Sequence, residues 1–288
     1  MAKNKDFVVF ILTHGRPDNV VTYDSLKKHG CTYPVYIIID NEDKKADRYK
    51  ELYKDSVIQF DKMAISKTFD EADNFNDRRS IVYARNACFN IAKKLGYTYF
   101  IELDDDYTSF EYRYKSKDGE KLLVKPLKDL DSIFDIHLEY LKNTNFYSIA
   151  FAQGGDFIGG ASNSKVDKRP LMRKCMNSFF CSTERVFNFV GRINEDVNTY
   201  TLLGSRGYLF GTVPYVSLVQ KQTQSNEGGM TDIYLDGGTY IKSFYTVIFH
   251  PSSVTISLMG SSGKRLHHSI KWDNTVPKIL DEDVKKTA

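Results

Sequence analysis

The run Tyr97–Tyr107, YTYFIELDDDY, leaves this chain few options. Tyr97, Tyr99, Phe100, Ile101 and Leu103 form an apolar, β-rich stretch that stops on Asp104, Asp105 and Asp106. That is the profile of a buried strand delivering carboxylates at its C-terminal end, where α/β folds gather ligands. Three carboxylates in so short a span repel one another, and burial raises their pKa values. A divalent cation such as Mg²⁺ or Mn²⁺ prefers oxygen ligands, can also grip a diphosphate, and relieves that repulsion. A plainer reading stands beside it: the aspartates stop the strand, cap a helix or face solvent.

The order of elements sets the class. Phe7–Leu12 is a continuous apolar run, as in a parallel strand covered on both faces. Pro17 and Asp18 suit a helix start, with the helix running to Lys28. Pro34–Asp40 reads as a second buried strand, Glu42–Lys54 as a helix, and Val57–Phe60 as a short strand. This β-α-β-α-β opening predicts a parallel, doubly wound sheet. The segment from Asp61 to Arg79 reads as polar loop, and Ser80–Leu95 as an amphipathic helix stopped by Gly96. Tyr107–Tyr114 and Lys121–Val124 form an expected hairpin, followed by a helix at Leu127–Lys142 and a strand at Phe146–Gln153. Gly154–Gly160 lacks the spacing of a phosphate-binding fingerprint. Further on, the expectations are a strand at Cys175–Phe180, a short helix at Thr183–Val190, and one or two strands over Tyr208–Val219 broken at Pro214. A helix over Asp232–Phe249, a strand at Val254–Leu258 and a basic C-terminal loop complete the reading.

Composition narrows the function classes only a little. The 288 residues, 41% hydrophobic and 27% charged, suit one globular domain. A net charge of +3 permits an anionic ligand without demanding nucleic acid. Cys31, Cys88, Cys175 and Cys181 lack the spacing of zinc or redox motifs. The first apolar run ends at Leu12, too short to span a bilayer, and no small-residue cleavage site follows. A cytoplasmic protein without a membrane anchor is expected.

With these elements in order, the chain resembles GT-A-fold, nucleotide-sugar-dependent glycosyltransferases. The carriers are the first strand with THGRP, the second strand ending at Asp40, and the block ARNACFNIAKKLGYTYFIELDDDY, where Asp104-Asp105-Asp106 stands for an Asp-x-Asp motif. The block is most similar to the TET-associated glycosyltransferases, which are similar to enzymes that glycosylate hydroxymethylated pyrimidines in DNA. FFCSTERVFNFVGRINEDVNTY and the QKQTQSNEGG loop extend the match. The resemblance implies a single GT-A-like domain: a nucleotide-sugar-binding half over 1–106, a mixed acceptor-side half over 107–260, and a basic C-terminal loop and tail over 261–288.

It also implies roles. Asp40 would take hydrogen bonds from base or ribose, or else cap the next helix. Thr13 and Arg16 would reach base or diphosphate. Arg85 would hold the diphosphate or orient the acidic cluster, with Asn86 fixing its helix. Asp104 and Asp106 share one side of an extended chain and Asp105 the other. The first two would therefore act together, on ribose and metal or both on metal through water, with Asp106 the first choice for touching the Mn²⁺ or Mg²⁺ directly. Asp196, with Glu195 second, would be the base that takes the acceptor hydroxyl's proton; a helix-entry carboxylate is the alternative. His267 or His268 would add a metal ligand, Arg265 and Lys264 would meet the diphosphate, and His250 would be structural. Tyr107, Phe110, Tyr112 and Arg113, with Arg169, Arg173 and Lys174, offer aromatic and basic groups to an extruded base. The expected reaction moves a sugar, glucose first, from a uridine diphosphate sugar to 5-hydroxymethylpyrimidine in DNA. A polysaccharide, glycolipid or protein acceptor, a nucleotidyltransferase, and a non-catalytic nucleic-acid-binding module remain alternatives.

Overall fold

The computed structural model describes residues 4–72, 77–162, 171–220, 240–259 and 265–277. Its core is one nine-stranded sheet in the order β3-β2-β1-β4-β8-β7-β9-β5-β6. The first half is the parallel part: β1 (Phe7–Leu12), β2 (Val35–Asp40), β3 (Val57–Phe60) and β4 (Tyr99–Asp104). β5 (Tyr107–Lys115) and β6 (Leu122–Pro126) form the hairpin, and β7 (Phe146–Gln153), β8 (Ser178–Ser182) and β9 (Leu209–Gln220) complete the sheet. Only β5 and β8 run against the other strands. The α/β layout expected from the sequence, a parallel opening followed by a mixed half, is therefore present.

Every residue of β1 is buried, because alternate side chains enter two separate cores. Val8, Phe10 and Leu12 pack under α4 (Val82–Leu95), while Phe7, Val9 and Ile11 pack with Leu26 of α1 (Val21–Lys28), Tyr49 of α2 (Ala46–Tyr53) and Phe134 of α5 (Leu130–Lys142). Gly96, at φ +81°, ends α4 in the left-handed conformation that glycine adopts without strain.

Several boundaries depart from the sequence reading. Asp61 caps a short helix, α3 (Lys62–Ser66), inside the expected loop, its carboxylate accepting from the Ala64 N–H at 3.0 Å. Thr183–Val190 forms no helix. Phe187 and Phe189 are buried two residues apart, a spacing that suits an extended chain, and Asn86 clamps Phe189 through both its N–H and its C=O. β9 runs unbroken past Pro214. Its pairing to β7 jumps from Phe151↔Val213 to Ala152↔Ser217, so the proline sits in a bulge rather than at a strand end. The basic C-terminal loop contains a strand, β11 (Arg265–Ile270), paired with β10 (Val254–Met259). Of the helix expected over Asp232–Phe249, Ile241–Phe249 is helical and residues 232–239 lie outside the described residues.

Candidate active site

β1 lies between β2 and β4 and runs parallel to both, so the C-terminal ends of all three strands share one edge of the sheet, the edge where α/β folds gather ligands. Their last residues and loops supply the predicted groups. Asp104 ends β4, and Asp105 and Asp106 turn the chain into β5. Thr22 of α1 clamps this turn, donating from Oγ1 to the Asp104 carbonyl at 2.6 Å and accepting from the Tyr107 N–H at 2.9 Å. Asp105 faces the β1 loop: its Oδ2 accepts from Thr13 Oγ1 at 2.5 Å and its Oδ1 lies 3.0 Å from Arg16. Tyr49 braces both, with its Oη 2.9 Å from Thr13 Oγ1 and accepting from the Arg16 N–H at 2.8 Å. Thr13 and Arg16 thus hold Asp105 rather than standing free.

Asp104 turns to Arg85 instead. This guanidinium, 1% exposed, gives Nη2 to Asp104 at 2.9 Å and Nε to Glu195 at 3.0 Å, with Nη1 3.7 Å from Glu102. Its carbon lies 4.8 Å from the centroid of the Phe179 ring. An arginine flanked by Ala84 and Ala87 reads as exposed in the sequence; here it is the hub of three carboxylates. Glu102 stands inside the apolar run of β4, on the same strand face as Asp104. It is fully buried, and neither carboxylate oxygen has a hydrogen bond. Burial drives its pKa far up despite Arg85.

The acidic turn carries unbalanced charge. Burial raises Asp104, Asp105 and Asp106 above the ordinary aspartate range, with Arg85 and Arg16 opposing the rise at Asp104 and Asp105. Asp106 is pushed up to about 6 by burial and by the neighbouring Asp104. Its Oδ2 accepts from Gln220 Nε2 at 3.2 Å, while its buried Oδ1 has no partner.

Glu195 and Asp196 open α6 (Glu195–Gly204). The approach is tight: Asn194 stands at φ +60°, and Gly191, at φ +80°, lies where a Cβ would come within 2.4 Å of Asn198 Nδ2. Both carboxyl groups are buried and their pKa values raised, by burial first and, at Glu195, by its neighbour Asp196. Glu195, not Asp196, meets Arg85; Asp196 Oδ1 accepts from the Val197 N–H at 2.7 Å.

On the β2 side, Asp40 does not cap α2, whose N-cap is Lys45. Its Oδ2 lies 2.7 Å from His14 Nδ1 and 3.3 Å from the buried Lys62 Nζ, and its Oδ1 accepts from the Glu42 N–H at 3.0 Å. Burial raises the Asp40 carboxyl, but His14 and Lys62 outweigh it and hold the pKa below the ordinary range. Neither partner was picked out in the sequence, because both lie at least 22 residues from Asp40.

The C-terminal candidates have other contacts. His267 Nε2 is 3.5 Å from Lys174 Nζ, and His268 is buried with neither ring nitrogen hydrogen-bonded. His250 follows the helix Ile241–Phe249. The Arg265 side chain, Lys264, Arg169 and the QKQTQSNEGG segment beyond Gln220 lie outside what is described. Tyr107 and Phe110 cannot stack on a base. Both are fully buried, Phe110 against His29 and Phe151, with the Tyr107 hydroxyl donating to the Asn177 carbonyl. Arg113 is held by Glu111 and Ser217, and Arg173 by Asp156; Tyr112 is exposed.

Among the described residues no three His, Cys, Asp or Glu side chains are gathered to hold a metal, so Asp104, Asp106 and His267 are not assembled as a set. The acidic turn nevertheless fits a cation that takes one or two carboxylates and completes its shell from a diphosphate and water. The unpartnered Asp106 Oδ1 and the raised pKa values of the turn are the observations that match it.

No helix among the described residues is long and apolar enough to cross a membrane. No curated protein matches the chain. Two solved structures are similar in outline. One is glucosyl-3-phosphoglycerate synthase from Mycobacterium tuberculosis in complex with Mg²⁺ and UDP, with a TM-score of 0.46 and 8% identity, covering 93% of this chain and 88% of that one. The other is a mycobacterial protein with a TM-score of 0.44 and 7% identity, covering 93% and 84%. At these TM-scores neither likeness assigns anything to this chain. A model of the TET-associated glycosyltransferases, by contrast, matches residues 7–229, which include both ends of the Arg85 bridge. The chain therefore belongs to the TET-associated glycosyltransferase family.

Proposed function

We propose that this glycosyltransferase moves a sugar, glucose first, from a uridine diphosphate sugar to the hydroxymethyl group of 5-hydroxymethylpyrimidine in DNA. One observation carries the reading. Arg85 joins Asp104, at the end of the nucleotide-side strands, to Glu195, at the start of an acceptor-side helix. A leaving-group site and a proton-accepting site are thereby held on one rigid hub, as displacement at an anomeric carbon requires. The DNA acceptor follows from what the family resemblance implies, and glucose from the same source.

In this reading Asp106 and Asp104 would hold Mn²⁺ or Mg²⁺, which when bound would supply positive charge to a leaving diphosphate. A histidine of β11 such as His267 would add a metal ligand and Arg265 would meet the diphosphate, as the family resemblance implies. Arg85 keeps Asp104 and Glu195 in register, and Thr13 and Arg16 do the same for Asp105. Asp196 or Glu195 takes the proton from the acceptor hydroxyl as the glycosidic bond forms. A pKa raised by burial suits that task, because a base works best when its pKa approaches the working pH. Glu195 is already committed to Arg85, which leaves Asp196 as the first candidate.

Mass spectrometry tests both halves. Purified protein with Mn²⁺ is incubated with several sugar nucleotides and with DNA containing hydroxymethylcytosine, hydroxymethyluracil or neither. A hexose mass added only to hydroxymethylated DNA is the expected result. Donor hydrolysis with unmodified DNA would move the acceptor to a glycan, lipid or protein.

A further inference from the structure

We infer that the pocket between α6 and the short helix Trp272–Thr275 receives the acceptor pyrimidine by one carbonyl oxygen, with Arg173 and Tyr200 as the donors. It rests on the hydroxymethylpyrimidine reading above and names the side chains that hold the base. The walls of the pocket include Arg173, Tyr200, Gly204, Tyr208, Phe210 and Trp272. Asp196, Tyr200 and Gly204 are spaced four residues apart along α6 and so follow one face of the helix. The pocket therefore begins one helical turn from the carboxyl group that would take the acceptor's proton.

Two of its side chains have unmet hydrogen-bonding capacity. The Arg173 side chain is 4% exposed, and its Nη2 donates to Asp156 Oδ1 at 3.3 Å. Its buried Nε and Nη1 have no partner among the described residues. The Tyr200 ring stacks on Trp272, centroids 5.9 Å apart, and its buried hydroxyl has no partner either. Burial and the nearby Asp196 charge push this phenol's pKa up, so the hydroxyl keeps its proton. A buried donor left unmet is costly, and a charged one more so. An oxygen acceptor answers all of these groups. Asp156 already offsets the guanidinium charge, which favours a neutral carbonyl over a phosphate. Space points the same way. The pocket measures about 260 Å³ with the part open to solvent, but its enclosed part holds little more than a water-sized group. One oxygen enters, and the ring that carries it stays at the mouth, where aromatic side chains offer flat contact.

Transfer kinetics of the full chain, with UDP-glucose and Mn²⁺ saturating and hydroxymethylated DNA varied, test this. Tyr200→Phe deletes only the unpartnered hydroxyl and should fold as wild type does. Arg173→Lys keeps a cation beside Asp156 and loses the guanidinium donors. Each should raise the KM for DNA about tenfold, the loss of one good hydrogen bond, and leave the KM for UDP-glucose unchanged. A loss confined to hydroxymethyluracil identifies O4 as the bound oxygen; equal losses with hydroxymethylcytosine identify O2, which both bases carry. An unchanged KM for DNA in both folded variants would mean that water alone fills the pocket, and would overturn the inference. An equal loss of affinity for DNA with an abasic site in place of the modified base would also overturn it, because the pocket would then read the backbone. Wild-type protein that modifies neither DNA would instead remove the acceptor reading, and the role of the pocket with it.

Discussion

Replacing Asp106 by Asn should make the protein more stable and inactive at once. The charged Asp106 is costly in the folded state: its carboxyl rises from an ordinary 3.8 to about 6, through burial and the neighbouring Asp104. At about 1.4 kcal/mol for each pH unit, that rise corresponds to roughly 3 kcal/mol. The side chain is partly solvated, and screening reduces the figure to about 1–2 kcal/mol. The sign follows from linkage. A carboxyl whose folded pKa is raised favours the folded state fully below its unfolded value near 3.8, and that contribution disappears as pH rises through about 6. Asp106→Asn should therefore gain about 1–2 kcal/mol over wild type at pH 7.5 in EDTA and nothing near pH 3.5. Asparagine can still accept from Gln220, so that hydrogen bond survives. Urea unfolding across pH, with EDTA or Mn²⁺, is the assay. Mn²⁺ should stabilise wild type more at pH 7.5 than at pH 5, and should leave the variant unmoved. A variant less stable than wild type at pH 7.5, or a difference that ignores pH, would refute the electrostatic reasoning. Near-normal transfer by the variant would remove Asp106 from the mechanism.

Three other outcomes follow from the same contacts. Arg85→Met leaves Glu102, Asp104 and Glu195 without their shared cation, and should cost about 3–5 kcal/mol in urea unfolding; a cost below 1 kcal/mol would mean that the three carboxyls are neutral in the fold. Asp196→Asn should keep UDP affinity and lower transfer by roughly 10²-fold or more, as loss of a general base does. Should Glu195→Gln lose transfer while Asp196→Asn retains it, the base is Glu195. Gly191→Ala combines φ +80° with a Cβ 2.4 Å from Asn198 Nδ2 and 2.6 Å from Phe249. It should lower stability by about 2–3 kcal/mol in thermal melts, and an unchanged melting temperature would contradict the tight approach to α6.

The strands of the parallel half and the acidic turn were legible in the sequence. β1 is an uninterrupted apolar run, β4 is a mostly apolar one ending on the aspartates, α4 keeps a helical stripe up to Gly96, and each of these signals is local, acting over a few residues through side-chain alternation, helical period and turn chemistry. The family resemblance was likewise carried by contiguous blocks. Tertiary structure decided which charges meet. Arg85 and Glu195 are 110 residues apart, and nothing in their neighbourhoods distinguishes an arginine buried among three carboxylates from one on a solvated helix face. Glu102 lies inside an apolar run, and only the packing of Arg85 beside it brings it to the other carboxylates. Asp40 looked like a ligand or a cap, and became the anchor of His14 and Lys62. Thr183–Val190 was drawn out of a helix by its clamp to Asn86, across 103 residues of chain. The physical reason is common to all four. Burial and charge pairing depend on which elements pack together, and that is settled by the assembly of the sheet and its two cores rather than by any residue's immediate neighbours.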